Sequence, residues 1–462
     1  MRYCLLVLCA SAACAQTTLL DRMTADAPRY AALSRQIWGF AEIGYKEERS
    51  AALLSGELEK AGFRVQRGVA AMPTAFTAEW GKGTPVIALL GEYDALPGLS
   101  QEAVPERKAV VEGGAGHGCG HNTFGVAVAH AAIAVKQAME QGKLSGTIRY
   151  YGTPAEEGGG GKIHMIRAGL FKDVDAALTW HPWDQNAATD QTWLATVSGR
   201  FRFRGKASHA AAAPEAGRSA SDAVMVMTHA VDLMREHVPQ ETRIHYMIER
   251  AGSAVNIVPE TGELVLMARH SDAGVLAGIW ERLLNCAQAG ALATGTAMDF
   301  QITGSYANTV ANRTLSGLLD RSMRKVGGYK YTADEAKFAE GIRPTLSNST
   351  ASADAHEKIQ GPLNGVFSGS TDVGDVSWVV PTAQFLAATW VPGTAAHTWQ
   401  STAASGTTIG DKGLAVAART LALATVELLQ NPELVKAARA EFDKNLAGRE
   451  YKSLHPKEVR PR

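Results

Sequence analysis

The chain has 462 residues, and its 46 basic side chains balance 46 acidic ones. That length is enough for two or three domains, each burying its own core. Balanced charge with no basic stripe argues against nucleic acid as a partner.

The first fifteen residues, MRYCLLVLCASAACA, have the grammar of a secretory signal: Arg2, an apolar run from Tyr3 to Ala13, and an A-x-A site at Ala13–Ala15. The run is too short to span a bilayer. Cleavage after Ala15 and a periplasmic or secreted location are therefore expected, with no membrane span elsewhere. Two other readings of this segment are a buried N-terminal helix and a lipoprotein signal ending at Cys14. Ser-Ala-Ala before Cys14 departs from the usual aliphatic start of the latter. Removing the signal leaves only Cys119 and Cys286, a potential disulfide in an oxidising compartment.

Beyond the signal, residues 30–60 read as two helices, the second near Glu47–Lys60 and stopped by Gly62, and a strand follows at 63–66. PVIALL at 85–90 has the continuous apolar character of a buried parallel strand, and it runs into GEYDALPG. A polar loop over 100–116 delivers the chain to GHGCGHN, and 123–141 is an Ala- and Val-rich helix. Strands at 146–151 and 175–180 end in GTPAEEGGGGK and in His181-Pro182. Three strands thus hand over to polar motifs at their carboxyl ends, where open α/β sheets bind ligands.

From about residue 192 the pattern changes. Residues 198–206 alternate Phe201 and Phe203 with Arg200, Arg202 and Arg204, as a half-buried strand does. A helix at 220–234, strands at 243–249 and 263–269, a helix at 274–288 and a strand at 297–303 complete a β-α-β-β-α-β ferredoxin-like order. After Tyr306 the α/β character resumes and closes with a helix at 413–429.

Several signatures are absent. EEGGGGK lacks the first Gly and the Ser/Thr of a phosphate loop, His356-Glu357 lacks the second histidine of a zinc-protease helix, and no G-x-S-x-G occurs. What remains is a set of metal-ligand types: Cys119, His121, Glu156, Glu157, His181 and His397, suited to zinc or a similar divalent ion. Taken singly, each has a plainer reading. His181 could be a core histidine, HGCGH a tight turn, the glutamates a solvated loop, and Cys119 half of a disulfide. Their common placement at strand ends favours a site. Adjacent glutamates in extended backbone point in opposite directions, so one can bind metal while its neighbour faces substrate water as a general base.

Taken together, WGFAEIGYKEERSAALLSGELEKAGFRV (38–65), GEYDALPG, GHGCGHNTFG, PAEEGGGGK, HPW, GKASHAAAAP, GSTDVGDVSW and HTWQ resemble the dinuclear metal amidohydrolases and peptidases that include aminoacylases, hippurate hydrolase and plant auxin-conjugate hydrolases. The resemblance implies an α/β metal-binding catalytic domain with a mixed central sheet flanked by helices. It would span 16–193 and 306–462, interrupted at 194–305 by an inserted ferredoxin-like α+β lid and dimerisation domain. It further implies two divalent ions, Zn or Mn. Cys119 would bridge them, Glu157 and His397 would complete one, and His121 and His181 the other. Glu156 would be the general base, Asp94 the residue orienting a ligand histidine, and His209 the lid histidine that reaches into the site of a second protomer. Asn256 and Arg269 are candidates for holding polar groups of the substrate, although Arg269 also reads as a solvated strand residue. His117 has no ligand role and would line the pocket, and Asp372 and Asp375 would brace the site. Relatives carry a histidine ligand where Glu92 stands here, so His121 would supply the missing imidazole.

The implied activity is hydrolysis of an amide between an acyl or aroyl group and an amino acid. The implied assembly is a homodimer through the lid, with a second subunit type possible. The alternatives are a dipeptidase using the same site, and a non-catalytic exported binding protein with a Cys119–Cys286 disulfide.

Overall fold

The computed structural model describes residues 2–142, 144–347 and 351–459, with side chains from residue 18 onward. The signal expected at residues 1–15 therefore has no described side chain.

The chain begins with helix α1 (Arg2–Phe40) and α2 (Glu48–Lys60), then strands β1 (Arg64–Arg67), β2 (Phe76–Lys82) and β3 (Val86–Gly91). Helix α3 (His121–Gly142), β4 (Gly146–Gly152), α4 (Gly161–Arg167), β5 (Ala176–Trp183), β6 (Ala187–Thr189) and β7 (Thr192–Trp193) follow. A second unit comprises β8 (Ala195–Arg204), α5 (Ala220–Met234), β9 (Arg243–Arg250), β10 (Thr261–His270), α6 (Ala273–Thr294) and β11 (Ala297–Tyr306). The chain then returns through α7 (Arg313–Val326), α8 (Ala333–Ile342), β12 (Val366–Phe367), α9 (Val373–Ser377), β13 (Thr382–Ala388), α10 (Trp399–Ser405), α11 (Thr408–Gln430) and α12 (Pro432–Leu446).

The large sheet is mixed, in the order β1-β2-β4-β3-β5-β13-β6. Its central strands β4, β3, β5 and β13 are parallel, while β1, β2 and β6 pair antiparallel to their neighbours. Every residue of β3 is buried. Ile87 and Leu89 join the core built with α1, α3 and α11, and Val86, Ala88 and Leu90 join the core on the opposite face. Coverage of both faces explains the continuous apolar run. Helix α11 is long and apolar enough to cross a membrane by length and composition, contrary to the expectation that no such stretch exists beyond the signal. It is a buried core helix against α3, as a long apolar segment inside an α/β domain should be.

The second unit has sheet order β11-β8-β10-β9, with α5 and α6 packed on one face. Phe201, Phe203, Leu264 and Leu266 point into that core. The opposite face carries Arg200, paired with Glu249 at 2.9 Å, and closer to the large sheet Thr196, Ser198 and Arg269.

Candidate metal centre

The four parallel strands deliver the site. Beyond β3 come Glu92 and Asp94, beyond β4 Glu156 and Glu157, and beyond β13 the loop that reaches His397. His181 lies within β5 rather than past its end, because the pairing with β13 continues to Trp183. GHGCGHN turns directly into α3, whose first residue is His121. Gly120 has φ of +73° and sits so close to Pro182 that a Cβ would lie 2.7 Å from that ring, so only glycine lets the turn approach β5.

Cys119, His121 and His181 bring their ligand atoms within 4.8 Å of one another, and Cys119, Glu157 and His397 do the same, so Cys119 is common to two triads. Cys119 Sγ is 3.4 Å from His181 Nε2, and His397 Nε2 is 3.1 Å from Glu157 Oε1. Asp94 accepts from His121 Nδ1 at 2.9 Å and from the Glu157 backbone N–H at 2.9 Å, which fixes the ring and the loop at once. His181 Nδ1 donates to Pro182 O at 2.7 Å, leaving Nε2 aimed at Cys119. Burial lowers the His181 pKa to about 3, the neutral form a metal requires.

Two observations test whether a divalent ion fits. His121 Nε2 is buried with Glu92 Oε2 3.2 Å away in a contact that makes no aligned hydrogen bond, which leaves the nitrogen open to a ligand. Burial pushes the Cys119 thiol well above its usual range, whereas a metal-bound thiol is deprotonated outright. Cys119 and Cys286 are both free, which removes the disulfide on which the non-catalytic reading depended. The donor set fits a divalent ion in each triad.

Glu156 and Glu157 stand in a turn, not in extended backbone, because Ala155 enters it at φ of +55°. Burial, with Glu92 and Glu157 nearby, pushes the Glu156 carboxyl well up, a direction that suits a proton acceptor working near neutral pH. Glu92 does not face solvent. Its Oε1 accepts from the buried Lys162 Nζ at 2.6 Å, Asp372 Oδ1 accepts from the same Nζ at 2.6 Å, and Glu92 Oε2 lies 3.2 Å from His121 Nε2. Sequence reasoning misses this Glu92–Lys162–Asp372 cluster. Lys162 enters it only as part of an incomplete phosphate loop, and nothing local marks the residue as buried.

A cavity of about 410 Å³ opens over Cys119, Glu156, Glu157, His181 and His397. Its walls include Trp183, Trp193 and Phe367, with Trp193 and Phe367 ring centroids 4.5 Å apart, and its far side carries Thr196, Ser198, Arg269 and Ser370. Arg269, half-buried, donates to Ser370 Oγ at 3.3 Å, so it lines the cavity rather than bulk water. His209 and Asn256 do not line it. They sit together on the exposed surface of the second unit, where His209 pairs with Ile257 and Asn256 O accepts from Ala210 N. The His209 Nδ1 accepts from Ala211 and Ala212 N–H, placing its proton on Nε2. His117 does not line the cavity either: it is buried against Ile37 O at 3.0 Å and held neutral, its pKa near 4. Asp375 accepts from Ala307 N and Tyr451 Oη. The aromatic wall escapes sequence reasoning because Trp193 and Phe367 belong to a two-residue pairing, β7 with β12, too short to leave a periodic signal.

Residues 88–453 match the profile of peptidase family M20/M25/M40. The chain is 38% identical to the B subunit of p-aminobenzoyl-glutamate hydrolase from Escherichia coli (strain K12), across 96% of this chain and 97% of that protein. It is 32% identical to the Xaa-Arg dipeptidase of Mus musculus, across 93% of each. Among solved structures, a dinuclear metal binding peptidase of the M20 family from Bacillus subtilis aligns with a TM-score of 0.61 at 17% identity, covering 88% of this chain and 99% of that one.

Proposed function

The chain belongs to peptidase family M20/M25/M40, and on that premise we propose that it is a metal-dependent amidohydrolase cleaving the amide between an aroyl or acyl group and an amino acid. The observation that carries this reading is the sharing of Cys119, which lines the cavity, by two triads of potential ligands. Cys119, His121 and His181 would hold one divalent ion, and Cys119, Glu157 and His397 the second, of zinc or manganese. When bound, such a pair supplies Lewis acidity to the scissile carbonyl and acidifies the attacking water.

The chain's own residues do the rest. Glu156, buried beside the ligands, takes the proton from water and returns it to the leaving amine. Asp94 holds His121 and the Glu157 backbone in register. The Trp183, Trp193 and Phe367 wall suits an aromatic acyl group, and Arg269 with Ser370 suits the carboxylate of the amino acid. Among the described residues lining the cavity, the only carboxylates are Glu156 and Glu157, so the free amine of a dipeptide finds no separate partner. That favours N-acyl substrates over dipeptides, in line with the name of the 38% identical relative.

His209 would act across a homodimer, donating from Nε2 to the oxyanion in the cavity of the second protomer. Asn256 lies beside it and would reach the same substrate. Exposed Met225 and Leu233 give α5 of the second unit an apolar surface for that contact. The 38% identical relative is named as one subunit of a hydrolase, which supports testing for a second subunit type as well. Export directed by residues 1–15, with cleavage after Ala15, completes the proposal, and the mass of the mature chain checks it.

The deciding experiment is metal analysis of the wild type and Cys119→Ala, purified without chelator. A hydrolysis panel of N-aroyl-glutamates, N-acyl amino acids and free-amine dipeptides accompanies it. About two ions per wild-type chain, loss in the variant and preference for N-aroyl amino acids support the reading. Metal-free, inactive wild type sinks it, and preference for free-amine dipeptides replaces it with the dipeptidase.

A further inference from the structure

After α12 the chain runs back across the molecule to the loop that carries Glu156 and Glu157. Arg167 anchors this return, donating to Pro456 O at 2.7 Å and His455 O at 2.6 Å. The buried His455 ring then stands between two units. Its Nε2 is 2.9 Å from Gly159 O, and its Nδ1 is 3.3 Å from the Ser305 N–H at the end of β11. Its Nδ1 also lies 3.1 Å from Ser305 O, so the ring bridges Gly159 and the Ser305 backbone whichever nitrogen carries the proton. Tyr306 stacks on it, with centroids 6.0 Å apart and planes 11° apart, and donates from Oη to Glu156 O at 3.0 Å.

The loop needs such support. Ala155 has φ of +55°, which costs a non-glycine residue about 1–2 kcal/mol, and strain of this kind persists only where surroundings over-determine it. Glu47 accepts from Ala155 N at 2.8 Å, and Tyr45 Oη donates to Gly159 O at 2.6 Å, but both come from the catalytic unit. His455 and Tyr306 are the contacts that join the loop to the second unit's last strand. A cavity of about 540 Å³, lined in part by Val197, Leu276, Ser305, Tyr306, Trp378 and Tyr451, lies on the other side of the β11 end. His455 also lies beyond the 88–453 span that matches the family.

We propose that His455 is a positioning residue that locks the Glu156–Gly160 loop to the end of β11, so that the two glutamates hold their places only while the second unit is seated. The catalytic part of this inference rests on the proposed function; the loop-locking part does not. The test uses full-length His455→Ala and His455→Asn. Hydrogen exchange of the metal-free protein should quicken at residues 155–162 in His455→Ala while residues 220–234 keep the wild-type rate. On a substrate the wild type cleaves, kcat should fall about 10- to 100-fold with KM within about threefold, and Asn, which can still donate, should recover part of it. Unchanged exchange at 155–162, or an equal rise throughout the chain, overturns the proposal. If His455→Ala does not fold, His455→Asn and Tyr306→Phe are judged by the same two readouts. A wild type with no hydrolytic activity would sink the proposed function while leaving the exchange result to decide the lock.

Discussion

The two sheets are built from strands of the same period, yet they treat their faces differently. In the large sheet β3 and β13 are buried on both sides, and their carboxyl ends emerge from packed core directly into the site. In the small sheet β10 alternates buried and half-buried residues over its whole length, and edge strand β9 is mostly exposed. Rigid placement of ligands comes from the first arrangement; a surface free to meet other molecules comes from the second. Substitutions near the large sheet's edge should therefore be expensive, and those on the small unit's outer surface cheap.

The largest effect is expected at Cys119, which both triads share. Cys119→Ala should lower kcat/KM by about 10³-fold or more, since the ions supply several kcal/mol of charge stabilisation. Elemental analysis of the same sample should show metal loss. Next is Lys162→Met. It leaves Glu92 and Asp372 buried without their shared cation, and breaking a buried ion cluster from one side costs about 3–5 kcal/mol. Chemical unfolding in the presence of chelator measures that cost free of metal linkage; a loss under about 1 kcal/mol would mean the carboxylates share a proton instead. Asp94→Asn should cost about 10- to 100-fold in metal affinity or activity, the usual worth of a partner that orients a ligand.

Acid should expose the same asymmetry. Burial holds His117 near pKa 4 and His130 near 3, and both belong to the catalytic unit. The unfolded chain binds protons at these groups once pH falls below about 6.5, while the folded chain does not. Their contribution is thus complete above pH 6.5 and declines as pH drops toward 4 and then 3. For His117 the full span is worth roughly 3 kcal/mol. His130 has no hydrogen bond on either nitrogen and stacks on Tyr30 at 3.9 Å. His130→Phe should keep the stacking and flatten the acid limb of a stability–pH curve; an unchanged limb would show that His130 binds its proton alike in the folded and unfolded chain.

Legibility in the sequence follows this division too. Strands β3, β4 and β5 are readable because apolar runs end abruptly in polar motifs, and the small unit is readable because half-buried strands alternate. β13 is not: TAQFLAA has one aromatic and no run of β-branched residues, so its strand state is imposed by β5 and β6 on either side. β2 escapes for a related reason, since its burial fades from Phe76 to Lys82. At the site, residue types and strand ends point to the candidate ligands together, and the resemblance implies their pairing. Lys162, Phe367 and His455 are out of reach because their importance lies in what they touch, and their contacts are 70, 174 and 296 residues away in the chain for Glu92, Trp193 and Gly159.

The smallest expected effect is the sharpest test of the contrast. Leu233 and Met247 are more than half exposed on the small unit. Leu233→Glu should change the unfolding free energy of an isolated chain by no more than about 0.5 kcal/mol, because no buried contact is lost. If the small unit's apolar surface joins two copies, the same change should shift the protein toward monomer in light scattering and slow hydrolysis, since His209 would no longer reach the cavity of a second copy. His209→Ala would then slow turnover without altering assembly. A dimer indifferent to Leu233→Glu would place the contact on another surface, and a fully active monomer would remove His209 from the reaction. The stable sheet would then carry the whole site alone, and the free face of the small sheet would serve only as the wall that bears Arg269.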